Sequence, residues 1–326
     1  FLSWTPHVLV AKQGGKPVGA ALLKTYPLPD GRKGGFIAWI FTDPDARGLG
    51  AGQRLVEASL DSLQSMGCAE IAACVEGHNT SSSKLFSTRG FSILSPGNQF
   101  KRYGLRILPT WFHMFHFMDI GHFVWASPGP SAPDRPALQW WGTLLLNSLI
   151  TLLAVFRGGS VSPLSFAMVP LLYLLLLGAR QLAMKGAAAA QGLAVRYRTW
   201  ESGLLLSFGI ALVLGGLFPI PGSIYPTSDS WSYRTLRPKL GKTALAGILP
   251  TLLIAASSWA LIRFADLPQA LLPWIGYAKF ISANLAFFDI LLPFFPFASF
   301  NGRRLWDWNR LLWAVPAALT LGVFFF

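Results

Sequence analysis

The spacing of hydrophobic and polar positions predicts a small α/β domain over the first part of the chain. Two short apolar runs, His7–Lys12 and Pro17–Leu23, are separated by a Gly-Gly-Lys turn and predict a β-hairpin. Phe36–Phe41 predicts a third strand. Apolar residues then recur at helical spacing within Ala51–Gly67, which predicts a helix that stops at a glycine.

The same domain continues with a fourth strand, a short helix and a last strand. The fourth strand is predicted over Ile71–Val75, the helix over Thr80–Thr88 and the last strand over Phe91–Leu94. We therefore assign residues 1–108 to an α/β domain.

The next segment, residues 109–138, differs in composition. It begins with the aromatic run WFHMFHFM and ends with SPGPSAPDRP, which is rich in proline, serine and glycine. We interpret it as a linker, with the aromatic run an amphipathic or strand segment lying on a membrane. His113, His116, Asp119 and His122 also fall here, and a metal site is the alternative interpretation.

From residue 139 onward, the apolar stretches are long. A membrane-spanning helix needs about 20 apolar residues, and most of these stretches approach that length. We predict an α-helical multi-pass domain over 139–326 with about six membrane segments, of which 203–219 is short enough to be partly re-entrant. The stretches lie near 140–156, 164–184, 203–219, 243–262, 269–299 and 310–326.

Composition and charge support a membrane environment. The chain is 52% hydrophobic and 13% charged, against roughly 25% charged in soluble domains, which excludes a disordered or purely soluble protein. The net charge of +13 lies mainly with the apolar half: residues 139–326 hold 14 Lys and Arg against 5 Asp and Glu. Basic loops beside apolar segments are typical of contact with anionic lipid, so we expect the bilayer rather than nucleic acid as the partner.

The two cysteines and the first residue say little about the function of the protein. Cys68 and Cys74 have neither the number nor the spacing of a disulfide scaffold or a zinc knuckle, so we expect buried thiols in a reducing compartment. The chain begins at Phe1 rather than at a methionine, and we expect further residues before it.

A glycine-rich turn is the most informative motif of the first domain. Gly48, Gly50 and Gly52 stand between the strand 36–41 and the helix that begins near Ala51. Glycines at this spacing let backbone N–H groups surround an anion, and the positive end of the helix dipole points at it. The motif predicts a pyrophosphate cradle, with a simple tight turn as the alternative.

Two motifs together resemble the GNAT acyltransferases over about residues 7–95. Arg47-Gly-Leu-Gly-Ala-Gly52 resembles that family's acetyl-coenzyme A motif, and the run Asn79-x-x-Ser-x-x-Leu-Phe-x-x-x-Gly-Phe91 resembles its later helix. The resemblance implies a twisted mixed sheet, splayed open between strands 36–41 and 71–75, where pantetheine pairs with one strand. It implies that Asn79 orients the later helix and that the pyrophosphate is held by Arg47, Gly48, Gly50, Ala51 and Gly52.

The sequence departs from this family in two ways that bear on catalysis. Many members carry a tyrosine that acts as general acid where this chain has Phe86, and the family's first strand and helices have no counterpart before Phe1. Glu76 and His78, at the end of the fourth strand, are the remaining candidates for relaying a proton through water. The alternative is that both are solvated loop residues.

The second half resembles the archaeal and bacterial site-2 proteases, a family of intramembrane zinc peptidases, over about 165–312. Arg180-Gln-Leu-Ala-Met-Lys185 lies in register with that family's H-E-x-x-H-K. The remaining motifs follow in the family's order: Pro221–Tyr225, Gly241–Gly247, Asp289–Pro293, Phe300–Arg304 and Trp308-Asn309.

The residues that perform the protease chemistry are absent from these motifs. The family's zinc ligands are two histidines and an aspartate, and this chain carries Arg180, Met184 and Asn301 there, with Gln181 in place of the catalytic glutamate. After His122 the sequence contains no histidine or cysteine. We therefore expect no zinc and predict a pseudoprotease.

A charged residue in an apolar segment needs a partner or solvent. We predict that Arg180 fills the former metal position and pairs with Asp289. The alternative is that Arg180 extends to the membrane interface near Lys185.

These observations lead to two functional hypotheses. In the first, a multi-pass protein of the cell membrane transfers an acetyl group from acetyl-coenzyme A to an amine, with residues 1–108 in the cytoplasm. In the second, the chain is a non-enzymatic binding or assembly subunit for other membrane proteins, or a coenzyme A sensor.

Overall fold

The computed structural model describes residues 7–46, 48–159, 161–228, 231–294 and 296–325, and it divides into two compact units. The first unit comprises the described residues up to His116 together with His122–Asp134. The second comprises Phe117–Gly121 and the described residues from Arg135 onward.

A six-stranded mixed sheet organises the first unit. The strand order is β1-β2-β3-β4-β6-β5, in which β3 and β4 are parallel and the other neighbours are antiparallel. The strands are β1 (His7–Gln13), β2 (Lys16–Pro27), β3 (Lys33–Thr42), β4 (Cys68–Glu76), β5 (Ser92–Ile93) and β6 (His122–Ser127). The helices are α1 (Ala51–Ser65), α2 (Thr80–Ser87), α3 (Pro96–Tyr103) and α4 (Ile107–Met114).

Every strand and helix predicted for residues 7–94 is present. α1 buries Leu55, Val56 and Leu63 of its predicted apolar stripe together with Ser59, and the chain leaves the helix through Gly67 at φ 76°. β2, β3 and β4 extend beyond their apolar runs because backbone pairing continues into polar positions.

The two parallel strands at the centre of the sheet diverge. Pairing between β3 and β4 begins at Lys33 with Cys68 and ends at Ile37 with Ala73. Beyond that point β3 continues to Thr42 and β4 to Glu76, each paired only with its outer neighbour. The fork at Ile37 and Ala73 therefore leaves one edge of each strand open, as the sequence resemblance implies.

The predicted linker over 109–138 is wrong. Its central part forms β6, which pairs with β4 from Ile71 opposite Ser127 to Glu76 opposite His122. Val124 and Ala126 have no solvent exposure and belong to the same core as Met114. Within the aromatic run, Trp111, Met114 and His116 are buried, whereas Phe112 is 59% exposed. The first unit therefore reaches Asp134 rather than residue 108.

The second unit is helical, with one small hairpin made of β7 (Val195–Arg198) and β8 (Ser223–Pro226). Among its described residues, three helices are long and apolar enough to cross a membrane: α5, α6 and α8. The number of six segments stays a prediction. The helices are α5 (Pro136–Arg157), α6 (Ser165–Ala189), α7 (Glu201–Leu214), α8 (Tyr233–Phe264), α9 (Leu272–Ile290), α10 (Asn301–Trp308) and α11 (Arg310–Phe325).

Large apolar side chains point outward from these long helices. Phe156 on α5 is 69% exposed, Leu175 on α6 is 65% exposed and Leu253 on α8 is 68% exposed. On the inner side, Tyr173 of α6 packs with Leu285 of α9 in one core, and neither side chain is exposed. A helix that is apolar on both faces is typical of a membrane span.

Gly302 on α10 allows a close approach to the end of α9. A Cβ atom at this position would overlap the backbone carbonyl of Ile290. We expect Gly302→Ala to destabilise the second unit by about 1–3 kcal/mol because backbone must move to admit the methyl group.

The control for this prediction is Gly276→Ala in α9, where a Cβ would meet nothing within 4 Å. That change should be neutral or stabilising, because alanine favours a helix more than glycine does. Reversible unfolding in mixed detergent micelles measures both, and equal effects of the two variants would contradict the prediction.

Candidate functional site

The glycine-rich turn lies where β3 leads into α1. After a short 3₁₀ turn at Pro44–Ala46, Gly48 and Gly50 take φ values of 84° and 80°, which side chains rarely tolerate. Gly50 is the N-cap of α1, whose first two residues are Ala51 and Gly52. The N–H groups of a helix's first turn have no partner within the helix, so they are available to an anion. Arg47, also predicted for this site, lies outside the described residues.

A cleft of about 690 Å³ opens at this turn. It is bounded by the end of β3, the start of α1 and the start of α2. Asn79 is the N-cap of α2, and its Oδ1 accepts a hydrogen bond from the Ser82 N–H at 3.2 Å. The lining residues are Ile40, Phe41, Thr42, Ala46, Gly48, Gly50, Ala51, Gly52, Gln53, Asn79, Ser81, Ser82 and Leu85.

The predicted relay residues form a pair at the end of β4. His78 Nδ1 lies 3.1 Å from Glu76 Oε1, and neither side chain is more than 20% exposed. His122, which the sequence placed in a linker, stands opposite Glu76 on β6. Burial raises the pKa of the Glu76 carboxyl, but the charge and hydrogen bond of His78, with a smaller effect of His122, outweigh it and leave the pKa below its usual value.

The depressed Glu76 pKa predicts a pH-dependent stability. The contribution is complete above the unfolded-state pKa of about 4.3 and is lost as the pH falls through the lower folded-state pKa. We expect Glu76→Gln to destabilise the first unit by about 1–2 kcal/mol at neutral pH, and the difference from wild type to close towards acid pH.

Hydrogen exchange of the backbone amides of the first unit, read by mass spectrometry across the pH range, measures this effect. The control is Glu57→Gln, whose carboxylate pairs with Arg89 but is 59% exposed, so its effect should stay within about 0.5 kcal/mol. A Glu76→Gln difference that is constant across the pH range would contradict the prediction.

A second polar cluster is buried among the helices of the second unit. Arg180 Nη2 on α6 donates to both carboxylate oxygens of Asp289 on α9, at 3.2 and 3.4 Å, so the predicted ion pair is present. Asn301 at the start of α10 donates to the same carboxylate through its backbone N–H at 3.0 Å and its Nδ2 at 3.1 Å. Arg180 and Asp289 are at most 2% exposed, so Arg180 does not extend to the interface.

This cluster brings together most of the residues that stand at the positions of the protease family's zinc ligands and catalytic glutamate. Met184 Sδ lies 3.9 Å from Asn301 Nδ2, and Gln181 is buried beside Arg180 along α6. Arg304 is a further member of the cluster that the motifs do not predict. It is completely buried, donates to the Ile224 carbonyl at 3.3 Å and stacks on Tyr225. Arg304 follows Asn301 by three residues, which is about one helical turn, and this spacing was the available signal that it lies on the same face as Asn301.

These side chains do not fit a zinc ion. Zinc is held by histidine, cysteine and carboxylate groups, and of these the cluster offers the Asp289 carboxylate, which Arg180 and Asn301 already bind. A guanidinium cation at the metal position would repel the ion.

Comparison with known proteins gives matches for both parts of the prediction. Residues 1–91 match the model of the acetyltransferase (GNAT) family. The chain is 35% identical over 127 residues to a Methanocaldococcus jannaschii protein described as a "putative zinc metalloprotease", which covers 39% of this chain and 62% of that relative.

Solved structures of acetyltransferases also match. N-acetylglutamate synthase from Neisseria gonorrhoeae, complexed with coenzyme A and N-acetylglutamate, is 22% identical with a TM-score of 0.28. The match covers 36% of this chain and 24% of the synthase chain. Arabidopsis thaliana Naa50, in complex with a bisubstrate analogue, is 18% identical with a TM-score of 0.28. The match covers 37% of this chain and 71% of the Naa50 chain.

Proposed function

We propose that this chain, whose residues 1–91 match the GNAT acetyltransferase family and part of which resembles a protein described as a putative zinc metalloprotease, is a membrane-anchored N-acetyltransferase. Its substrates are acetyl-coenzyme A and an amine. The observation that carries the proposal is the cleft at the glycine-rich turn, which lies on the same strand, β3, as the fork of the sheet.

The cleft suits the shape and charge of coenzyme A. The N–H groups of Gly48, Gly50, Ala51 and Gly52, in the turn and at the start of α1, bind the pyrophosphate, and Arg47, which precedes Gly48 in the sequence, contributes a positive charge. From there the open edge of β3 leads to the fork, and the backbone of this edge pairs with the amides of pantetheine as a further strand would. Asn79 fixes the start of α2 at the far wall.

Glu76 and His78 complete the proposed reaction. An amine attacks a thioester only as the free base, so a proton must leave it before or during attack. The Glu76 carboxylate, kept ionised by His78, accepts that proton through water. Both residues follow the fork along β4.

For the helical unit we propose a six-segment, proteolytically inactive membrane domain that binds no zinc. The Arg180–Asp289 pair, with Asn301 on the same carboxylate, supports this proposal. The unit anchors the acetyltransferase domain on the cytoplasmic face of the cell membrane, where acetyl-coenzyme A is supplied. Its partners are the bilayer and other membrane proteins rather than nucleic acid.

The alternative is a non-enzymatic subunit that senses coenzyme A. Phe86 favours it, because this side chain is buried against Phe91 and cannot donate a proton as a tyrosine would. In that case the helical unit serves as a binding or assembly surface for membrane partners.

Calorimetry of acetyl-coenzyme A binding, followed by turnover with a panel of amines, decides between the two. Binding with turnover supports the enzyme, whereas binding without turnover on any amine favours the sensor. No binding overturns the enzyme and the sensor and favours a binding or assembly subunit.

Metal analysis after purification in zinc-supplemented buffer tests the inactive protease domain. We expect no bound zinc in the wild type. The matched variant carries Arg180→His, Gln181→Glu, Met184→His and Asn301→Asp, which restore the family's ligand set, and it should gain zinc. Stoichiometric zinc in the wild type would overturn the proposal.

A further inference from the structure

A cysteine and a histidine lie side by side just beyond the fork of the sheet. Cys74 Sγ and His116 Nδ1 are 3.6 Å apart. The last β3–β4 pair is Ile37 with Ala73, so Cys74 is the first residue of β4 past the fork. The Cys74 side chain is partly exposed, while His116 is fully buried. The thiol therefore combines a neighbour that can take its proton with partial access from outside.

The histidine is held in place by its surroundings. Phe115, which ends α4, adopts φ 59°, a conformation that is unfavourable for a bulky residue and turns the chain so that His116 enters the interior. The Trp111 ring packs edge-on against the imidazole. The indole Nε1–H of Trp111 donates to Gln99 Oε1 at 2.7 Å. Backbone strain of this kind persists where the surrounding structure enforces it, and it is concentrated at functional sites.

A molecule that is bound in the cleft and extends along β3 would end near the thiol. The lining of the cleft runs from the glycine-rich turn to Ile40 on β3, and the fork lies three residues further along this strand, at Ile37. The distance along β3 from Thr42 to Ile37 is about 17 Å, at about 3.3 Å per residue, which a pantetheine arm can span. A thioester at the end of that arm reaches the fork next to Cys74.

We infer that Cys74 is a nucleophile that accepts the acyl group before it passes to the amine. This inference rests on the proposed function, because it needs acetyl-coenzyme A in the cleft. His116 takes the proton of the Cys74 thiol, and the thiolate attacks the carbonyl carbon of the thioester. The carbon–sulfur bond to coenzyme A breaks, an acetyl-Cys74 thioester forms, and the proton on His116 goes to the departing coenzyme A thiolate.

The second half of the reaction regenerates the enzyme. The amine attacks the carbonyl carbon of acetyl-Cys74, the carbon–sulfur bond breaks, and the amide product forms. The proton lost by the amine passes through water to Glu76 and from there restores the Cys74 thiol. This route also supplies a proton to coenzyme A without a tyrosine at the position of Phe86, because His116 donates it.

Mass spectrometry of the full-length protein in detergent tests the inference. After incubation with acetyl-coenzyme A without amine and an acid quench, we expect one acetyl group on the peptide that holds Cys74, removable by hydroxylamine. Cys68→Ala is the matched control, because it removes the other cysteine and should leave the label in place. Cys74→Ala and Cys74→Ser should lose the thioester and amine turnover but still bind coenzyme A by calorimetry.

A kinetic measurement separates catalysis from a structural role. The wild type should exchange labelled coenzyme A into acetyl-coenzyme A without any amine, a reaction that requires an acyl-enzyme. His116→Gln should slow this exchange by about 100-fold or more while coenzyme A still binds.

Three results would overturn the inference. The first is turnover that persists in Cys74→Ala, which means direct transfer to the amine. The second is equal labelling of Cys68 and Cys74, or labelling of the denatured chain, which means non-specific acetylation. The third is labelling that EDTA abolishes, which means that the thiol binds a metal. Absent coenzyme A binding in the wild type would instead overturn the proposed function itself, and this inference with it.

Discussion

Replacing Asp289 with alanine is expected to lower the free energy of unfolding of the helical unit by about 3–5 kcal/mol. The change leaves the Arg180 guanidinium buried without its counterion, since the two groups are at most 2% exposed. It also removes the acceptor of two Asn301 hydrogen bonds at the start of α10. Unfolding by SDS titration in mixed micelles gives the free energy.

Two control variants test whether the unpaired charge of Arg180 causes the loss of stability in Asp289→Ala. Asp266→Ala removes an exposed aspartate of the same unit and should change stability by no more than about 0.5 kcal/mol. The double variant Arg180→Met with Asp289→Leu replaces both charges by apolar groups and should be more stable than Asp289→Ala alone. A double variant that is less stable than the single one would show that the pair itself, rather than an unpaired charge, determines stability.

The ion pair was predictable from the sequence because a membrane segment offers a charged residue few partners. Arg180 lies in an apolar helix, and Asp289 is one of five acidic residues after residue 138. Arg304 was not identified, although it is equally buried. Its segment reads as a polar helix, and its burial depends on β8, which approaches from 80 residues away.

The elements of the first unit were predictable wherever the pattern is local. Strand alternation and the helical stripe of α1 depend on neighbouring residues alone. β6 was missed because its place between β4 and β5 depends on pairing over some 50 residues, and the aromatic composition of the preceding run suggested lipid instead. Val124 and Ala126 reach the core only through that pairing.

The missing strand also concealed the chemistry around the fork. His122 stands next to Glu76 because β6 pairs with β4, and His116 reaches Cys74 because α4 ends in the positive φ of Phe115. Both histidines were considered as members of a local metal cluster. The glycine-rich turn, in contrast, was identified because its anion-binding groups follow one another along the chain.

Replacing Gly50 with aspartate is expected to weaken coenzyme A binding by about 100-fold or more, which is about 3 kcal/mol. The residue caps α1 at φ 80°, so a side chain strains the turn that aims the N–H groups at the pyrophosphate. The new carboxylate also places a negative charge beside the phosphates, where like charges repel. Calorimetry with acetyl-coenzyme A measures the loss.

The matched control is Gly31→Asp, which adds the same charge to the same backbone conformation elsewhere. Gly31 has φ 83° with nothing within 4 Å of a Cβ, and it precedes β3, whereas Gly50 follows that strand. The two variants should lose similar stability, but only Gly50→Asp should lose coenzyme A. Gly50→Ala, which adds strain without charge, should fall between wild type and Gly50→Asp. If Gly50→Asp bound coenzyme A as tightly as the wild type, the start of α1 would not hold the pyrophosphate, and the acetyltransferase proposal would lose its principal support.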